Sequence, residues 1–190
     1  MDASLCNTYG VSMKLLTQTI IATALLGPLL ATPAHADGWY VKASVGQSGA
    51  DVGPVTLNDG FAYDLAAGTA VGPVRVEGGV ARLSGDLAGA LQANALDYHA
   101  NAYLDLPVGD NASVFGGVGL DYIDGEANFG FGSIDASGNG WNWAVGGAYR
   151  LNDRMIAEVQ YRDVTADLDT PFGGADLDAQ VATIGVRMRL

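Results

Sequence analysis

Ala182-Thr183-Ile184-Gly185-Val186-Arg187-Met188-Arg189-Leu190 closes the chain. Ala182, Ile184, Val186, Met188 and Leu190 are apolar, and Thr183, Gly185, Arg187 and Arg189 alternate with them. Period-2 alternation is the mark of a strand with two unlike faces. Two arginines on the polar face of a final strand suit a strand that has lipid on one side and a polar interior on the other.

The N-terminal region agrees. Met13-Lys14 supplies a start and one positive charge, Leu15 to Leu30 is mostly apolar, and Ala34-His35-Ala36 ends the stretch with small residues. This is the order of a secretory signal peptide, read here as residues 13–36 with cleavage after Ala36. Thr17, Gln18, Thr19 and Pro28 interrupt the apolar run, which is short for a spanning helix. Residues 1–12 read as an upstream extension, with Met13 as the start. The one cysteine, Cys6, falls in that extension, so residues 37–190 carry neither a disulfide framework nor a thiol nucleophile.

Residues 37–190 are long enough for one domain. Eight basic and twenty acidic side chains leave them a net charge of −12. Nucleic acid requires a basic footprint, so that class of partner is excluded. No later segment is long and apolar enough for a membrane helix, the expected result for a chain that crosses with strands.

Eight alternating segments follow, at 38–47, 61–71, 74–82, 95–105, 112–122, 140–150, 155–164 and 180–190. Gly72-Pro73, Leu106 to Asn111 and Leu151 to Arg154 are short connections, whereas 48–60, 83–94, 123–139 and 165–179 read as long loops. An even strand count with short turns at one end and long loops at the other is the layout of a bacterial outer-membrane barrel with periplasmic termini. Splitting each segment by parity leaves one face free of charge. The other face holds Lys42, Asp64, Arg75, Glu77, Asp97, His99, Asp121, Arg150, Glu158, Arg162, Arg187 and Arg189, read as a lumen charge network. A charge at the bilayer midplane costs roughly 2–4 kcal/mol, so lipid demands such a separation. The aromatics form two belts. Phe61, Tyr63, Tyr98, Tyr122, Trp141, Trp143 and Tyr161 fall near the extracellular ends, and Trp39 and Tyr149 near the periplasmic ends. Amphipathic rings anchor at both membrane interfaces.

The mature chain resembles the small eight-stranded outer-membrane proteins of the OmpA-domain, OmpX and opacity-protein type. Gly38-Trp39-Tyr40-Val41, the glycine-bearing strands Val114 to Tyr122 and Trp141 to Tyr149, and Ile184 to Leu190 carry the resemblance over 37–190. It implies an all-β fold, an eight-stranded antiparallel up-and-down transmembrane β-barrel. It also implies contact with outer-membrane lipid and lipopolysaccharide, and delivery by the barrel-assembly machinery through the C-terminal strand. The family pattern ends in an aromatic residue where this chain has Leu190.

Function is less legible. Six basic and five acidic lumen residues predict mutual pairing, with Glu158 reaching Arg187 or with Lys42 or Arg189 joining instead. Eight strands enclose room only for side chains or one small ligand. The leading expectation is therefore a non-enzymatic barrel, structural or surface-interacting, with an extracellular ligand that the sequence does not name. The alternative is a narrow channel for ions or small solutes with Arg162, Asp64 and Asp121 at its mouth. A lipid-modifying enzyme ranks third. His99 is the sole histidine after residue 36, and no Ser is placed beside it by sequence, although Asp97, His99 and Asp121 form a loose acid–histidine group. Asp167-Leu168-Asp169 and Asp176-Leu177-Asp178 read as solvated acidic loops, with weak Ca²⁺ or Mg²⁺ binding as their other reading. No metal site and no cofactor is expected. The doublets Gly78-Gly79, Gly116-Gly117 and Gly146-Gly147 mark bends or close packing.

Overall fold

The computed structural model describes residues 38–52, 55–87, 91–129, 132–171 and 173–190. The signal-peptide and upstream-extension readings fall on residues 1–36 and lie outside the described residues. The strands are β1 (Trp39–Val52), β2 (Val55–Val71), β3 (Val74–Leu87), β4 (Leu91–Pro107), β5 (Ala112–Phe129), β6 (Gly132–Arg150), β7 (Met155–Thr170) and β8 (Gly173–Arg189). Each pairs antiparallel with its neighbour in sequence, and β8 pairs with β1 to close the barrel. Closure matters because an open sheet edge has no partner in lipid. Gly72, at φ +61°, takes the left-handed conformation that lets Gly72-Pro73 turn β2 directly into β3.

The pairing registers fix the tilt. Val159 pairs with Ile184, Ile184 with Val45, Val45 with Tyr63 and Tyr63 with Arg82. Arg82 pairs with Leu96, Leu96 with Asp124, Asp124 with Ser137, and Ser137 with Asp169. One circuit thus returns to β7 ten residues further on, from 159 to 169. Ten residues along a strand against eight strand spacings gives a tilt of roughly 40°. A line of constant height therefore drops by roughly one and a quarter residues per strand.

The four long loops of the sequence reading are instead continuations of the strands. β7 runs to Thr170 and β8 starts at Gly173, so nearly all of 165–179 is hairpin. The same holds for most of 123–139, where β5 ends at Phe129 and β6 begins at Gly132. The cause is an inversion of polarity without loss of period. Along β7, Glu158 and Arg162 face inward below, then Val164, Ala166 and Leu168 face inward above, while Asp167 and Asp169 are exposed. Along β8, Arg187 is buried below, Val181, Ala179 and Leu177 are buried above, and Asp178 and Asp176 are exposed.

Two interiors are thus stacked in one barrel. The lower is polar. The upper is apolar, with Ile123, Val164, Ala166, Leu168, Leu177 and Ala179 in one cluster and Ala62, Ala81, Leu83 and Val181 in another. Outside, Val41, Val45, Leu65, Val118, Leu120, Val159 and Ile184 are exposed on the lower part, Val118 by 62 %. Apolar inside and acidic outside is the pattern of a barrel in water, and the reverse is that of a barrel in lipid.

Candidate functional site

The lumen is the candidate site, and it is built in layers. In the lower layer, Lys42 Nζ stands 2.5 Å from Glu77 Oε1 and 3.3 Å from Asp64 Oδ2. Arg75 is wholly buried and reaches Glu77 at 3.0 Å, Asp105 at 3.2 Å and Glu158 at 3.6 Å. Its guanidinium carbon lies 4.2 Å from the centre of the Tyr103 ring and 4.9 Å from that of Phe115. Arg187 completes the layer, 3.4 Å from Glu158 and 3.7 Å from Asp105. The Tyr40 hydroxyl donates to Glu77 at 3.0 Å. Each charge has at least one opposite partner, which buried ions require.

The second layer sits higher. Arg162 Nη2 donates to Asp97 Oδ2 at 2.5 Å and Nη1 to Asp121 Oδ1 at 3.3 Å. The Asn142 amide donates to the other Asp121 oxygen at 2.6 Å. His99 Nε2 lies 3.5 Å from Asp64 Oδ1, and Ser44 Oγ donates to Asp64 Oδ2 at 3.2 Å. The hydroxyl is thus directed at the carboxylate rather than at the imidazole, so His99 does not stand as the base of Ser44. Asp64, Glu77 and His99 hold one possible ligand atom each within 4.8 Å of one another. Lys42 already supplies the cation between the two carboxylates.

Small residues make this packing possible. Tyr40 pairs across β1–β2 with Gly68, His99 across β3–β4 with Gly79, and Tyr103 across β4–β5 with Gly117. Phe115 pairs across β5–β6 with Gly146. A Cβ on any of these glycines would overlap the side chain of its partner. Each of these four rings therefore lies across a glycine on the neighbouring strand, and one member of each mid-strand doublet serves this purpose.

Arg150 and Arg189 do not join the network. Both have the inward phase but stand exposed at the lower strand ends, where water replaces a protein partner. Among the described residues neither lies within ion-pair distance of a carboxylate. Asp105, the last residue of the 95–105 segment, belongs to the inward charges and is absent from the network read from the sequence, and Tyr40, Tyr103, Phe115, Asn101, Asn142 and Gln160 escape a reading that collects charges alone, although inward parity marks every one of them. With Asp105 included, four cations (Lys42, Arg75, Arg162, Arg187) face six carboxylates (Asp64, Glu77, Asp97, Asp105, Asp121, Glu158), an acidic rather than balanced lumen.

On the outer face, the register puts Phe61, Tyr98, Tyr122 and Trp141 close to the height at which polarity inverts. Tyr63, Trp143 and Tyr161 lie up to roughly three residues lower, with Trp143 and Tyr161 in contact at 5.7 Å between ring centres. Trp39 and Tyr149 fall at one height near the opposite end, about 20 Å below the upper belt. That spacing fits an apolar band of about 25 Å.

A closed antiparallel barrel with lipid-facing aliphatics between two aromatic belts and a side-chain-filled lumen defines an integral outer-membrane protein. A family profile for the outer membrane protein beta-barrel domain matches residues 20–189, and the chain belongs to that family. Its place is the bacterial outer membrane. The solved structure of Neisserial surface protein A is similar, with a TM-score of 0.72 at 17% identity over 81% of this chain and 98% of that one. Ail, the attachment invasion locus protein of Yersinia pestis, is similar at a TM-score of 0.54 and 13% identity over 80% of this chain and 99% of that one. No curated protein sequence matches.

Proposed function

We propose that the protein is a closed, non-enzymatic barrel that acts through its outside, as a surface-interaction and structural component of the outer membrane. The observation that carries this reading is the double obstruction of the lumen: the ion-paired layers are capped by the apolar cluster around Ile123, Val164 and Leu177. An ion crossing that cap would be desolvated with no charge to receive it. Ser44 donates to the Asp64 carboxylate rather than to His99, which supports the non-enzymatic part. On the outside, the strand extensions carry their acidic face above the membrane toward an extracellular ligand, and lipopolysaccharide surrounds the upper belt. The assembly machinery engages β8 before it closes on β1.

A cation channel is the second reading, favoured by the two-carboxylate excess in the lumen. Single-channel recording of the refolded barrel separates the two. No unitary steps are expected from wild type. Cation-selective steps through monomeric barrels would overturn the closed lumen and promote the channel.

A further inference from the structure

The two ion-paired layers leave a cavity between them, lined in part by Lys42, Asp64, His99, Asn101, Gln160 and Arg162. It has room for about one water-sized occupant. Asn101 is 2% exposed, and both polar atoms of its amide lack a hydrogen-bond partner. Asp64 Oδ1 lacks one as well, because Lys42 and Ser44 both take Oδ2. Buried polar atoms left without partners on one cavity wall call for an occupant, a water or an ion.

The geometry selects an ion. His99 Nε2 stands 3.5 Å from Asp64 Oδ1, beyond the ~2.7–3.2 Å of a good N–H···O hydrogen bond. Two donors held at about 2.0–2.1 Å on one tetrahedral metal stand roughly 3.3–3.4 Å apart. Glu77 offers a third ligand atom within 4.8 Å of the other two. Behind the imidazole, Nδ1 has no hydrogen-bond partner and faces Asp97 Oδ2 at 3.9 Å, the place of the carboxylate that orients a ligating histidine. Gly79 keeps the space beside Nε2 open, since a Cβ there would come 2.5 Å from that nitrogen. Charge agrees. Six lumen carboxylates against four cations leave two negative charges over, and one divalent ion cancels them. An imidazole beside carboxylates suits zinc and its neighbours, whereas calcium takes about six to eight oxygens.

We propose that His99 Nε2, Asp64 Oδ1 and Glu77 bind a divalent transition metal of the zinc class inside the lumen. Lys42 competes for Glu77. Its ammonium already lies 3.3 Å from Gln160 Oε1 and turns there when the metal enters. The inference does not rest on the closed lumen, and cation-selective conductance would leave it standing.

The test refolds the barrel in phosphatidylcholine vesicles with Zn²⁺ present, so that loading does not depend on passage through the apolar cap. After dialysis against metal-free buffer, wild type should retain about one zinc per barrel. H99Q and D64N should each bind zinc at least about tenfold more weakly. K42Q should bind it more tightly, and D167N on the acidic strand extensions should change nothing. One readout needs no variant: the imidazole nitrogen resonances of His99 in wild type should move when zinc is loaded. No retained zinc in wild type would overturn the proposal and leave the cavity to water. Zinc retained equally by H99Q would also overturn it, by placing the metal elsewhere on the chain, and so would His99 resonances indifferent to zinc.

Discussion

Arg162→Gln is the sharpest perturbation of the lumen. Arg162 is 5% exposed and holds two carboxylates that are themselves nearly inaccessible, Asp97 and Asp121. No other arginine or lysine lies within ion-pair distance of either among the described residues. Asn142 contributes one neutral hydrogen bond to Asp121, and His99 Nδ1 is 3.9 Å from Asp97. Glutamine keeps much of the volume and one amide donor but removes the charge, so two carboxylates face each other in a low-dielectric layer beneath an apolar cap. Breaking a buried pair from one side costs about 3–5 kcal/mol. Adding Asp97→Asn removes one of the stranded charges, so the double variant should be more stable than the sum of the two single losses, by about 1–3 kcal/mol. The assay is urea unfolding of the barrel in lipid vesicles, followed by the fluorescence of Trp39, Trp141 and Trp143. A loss below about 1 kcal/mol for Arg162→Gln, the size of a solvated surface pair, would refute the buried network at this level. Strict additivity in the double variant would refute the coupling.

Two further variants test the faces. Val118→Arg on the lipid side of β5 should cost about 2–4 kcal/mol in vesicles, while Gly119→Ala, whose new Cβ overlaps the Asn101 amide, should cost about 1–3 kcal/mol by overpacking the lumen. Cysteine placed at 118 should react with a lipid-soluble probe and cysteine at 119 should not, and the opposite pattern would shift the β5 register by one. Above the membrane, Leu168→Ala and Leu177→Ala should each lower stability by about 2–5 kcal/mol, as core truncations do. Losses within about 0.5 kcal/mol would return these segments to exposed loops. A protease added to intact cells should correspondingly leave 132–139 and 165–170 uncut.

The lower barrel was legible because lipid imposes one rule on every outward position. Val41, Val118, Val159 and Ile184 sit on four different strands, and each is exposed where parity put it. The inward set was legible only in part. Charge picks out Arg75 and Glu77 at once, but nothing in charge points to Tyr103 or Phe115, which share the same pocket around Arg75. Their inward parity was the available signal, and it needs the partner glycines, Gly117 and Gly146, to make sense of such bulk in a narrow barrel. Arg150 and Arg189 show the converse limit. Parity gives direction but not height, and at a strand end an inward phase leads to water.

The extensions read as loops for a physical reason that the sequence also contains. Asp167-Leu168-Asp169 and Asp176-Leu177-Asp178 keep strict period 2, and Asp167 pairs with Asp176 across β7 and β8. A search for apolar residues on the outward phase finds aspartate there and ends the strand. The chain does not end it, because the solvent outside has changed. Each face of a strand is selected by what touches it, so crossing from lipid to water must exchange the two faces while leaving the pleat untouched. On β7 the exchange falls between Arg162 and Val164, and on β8 at Val181, positions at nearly one height once the tilt is allowed for. The coincidence of the inner and outer exchanges is what a single planar boundary around a closed barrel requires. It locates one surface of the membrane at the upper aromatic belt, with the barrel continuing into water above it.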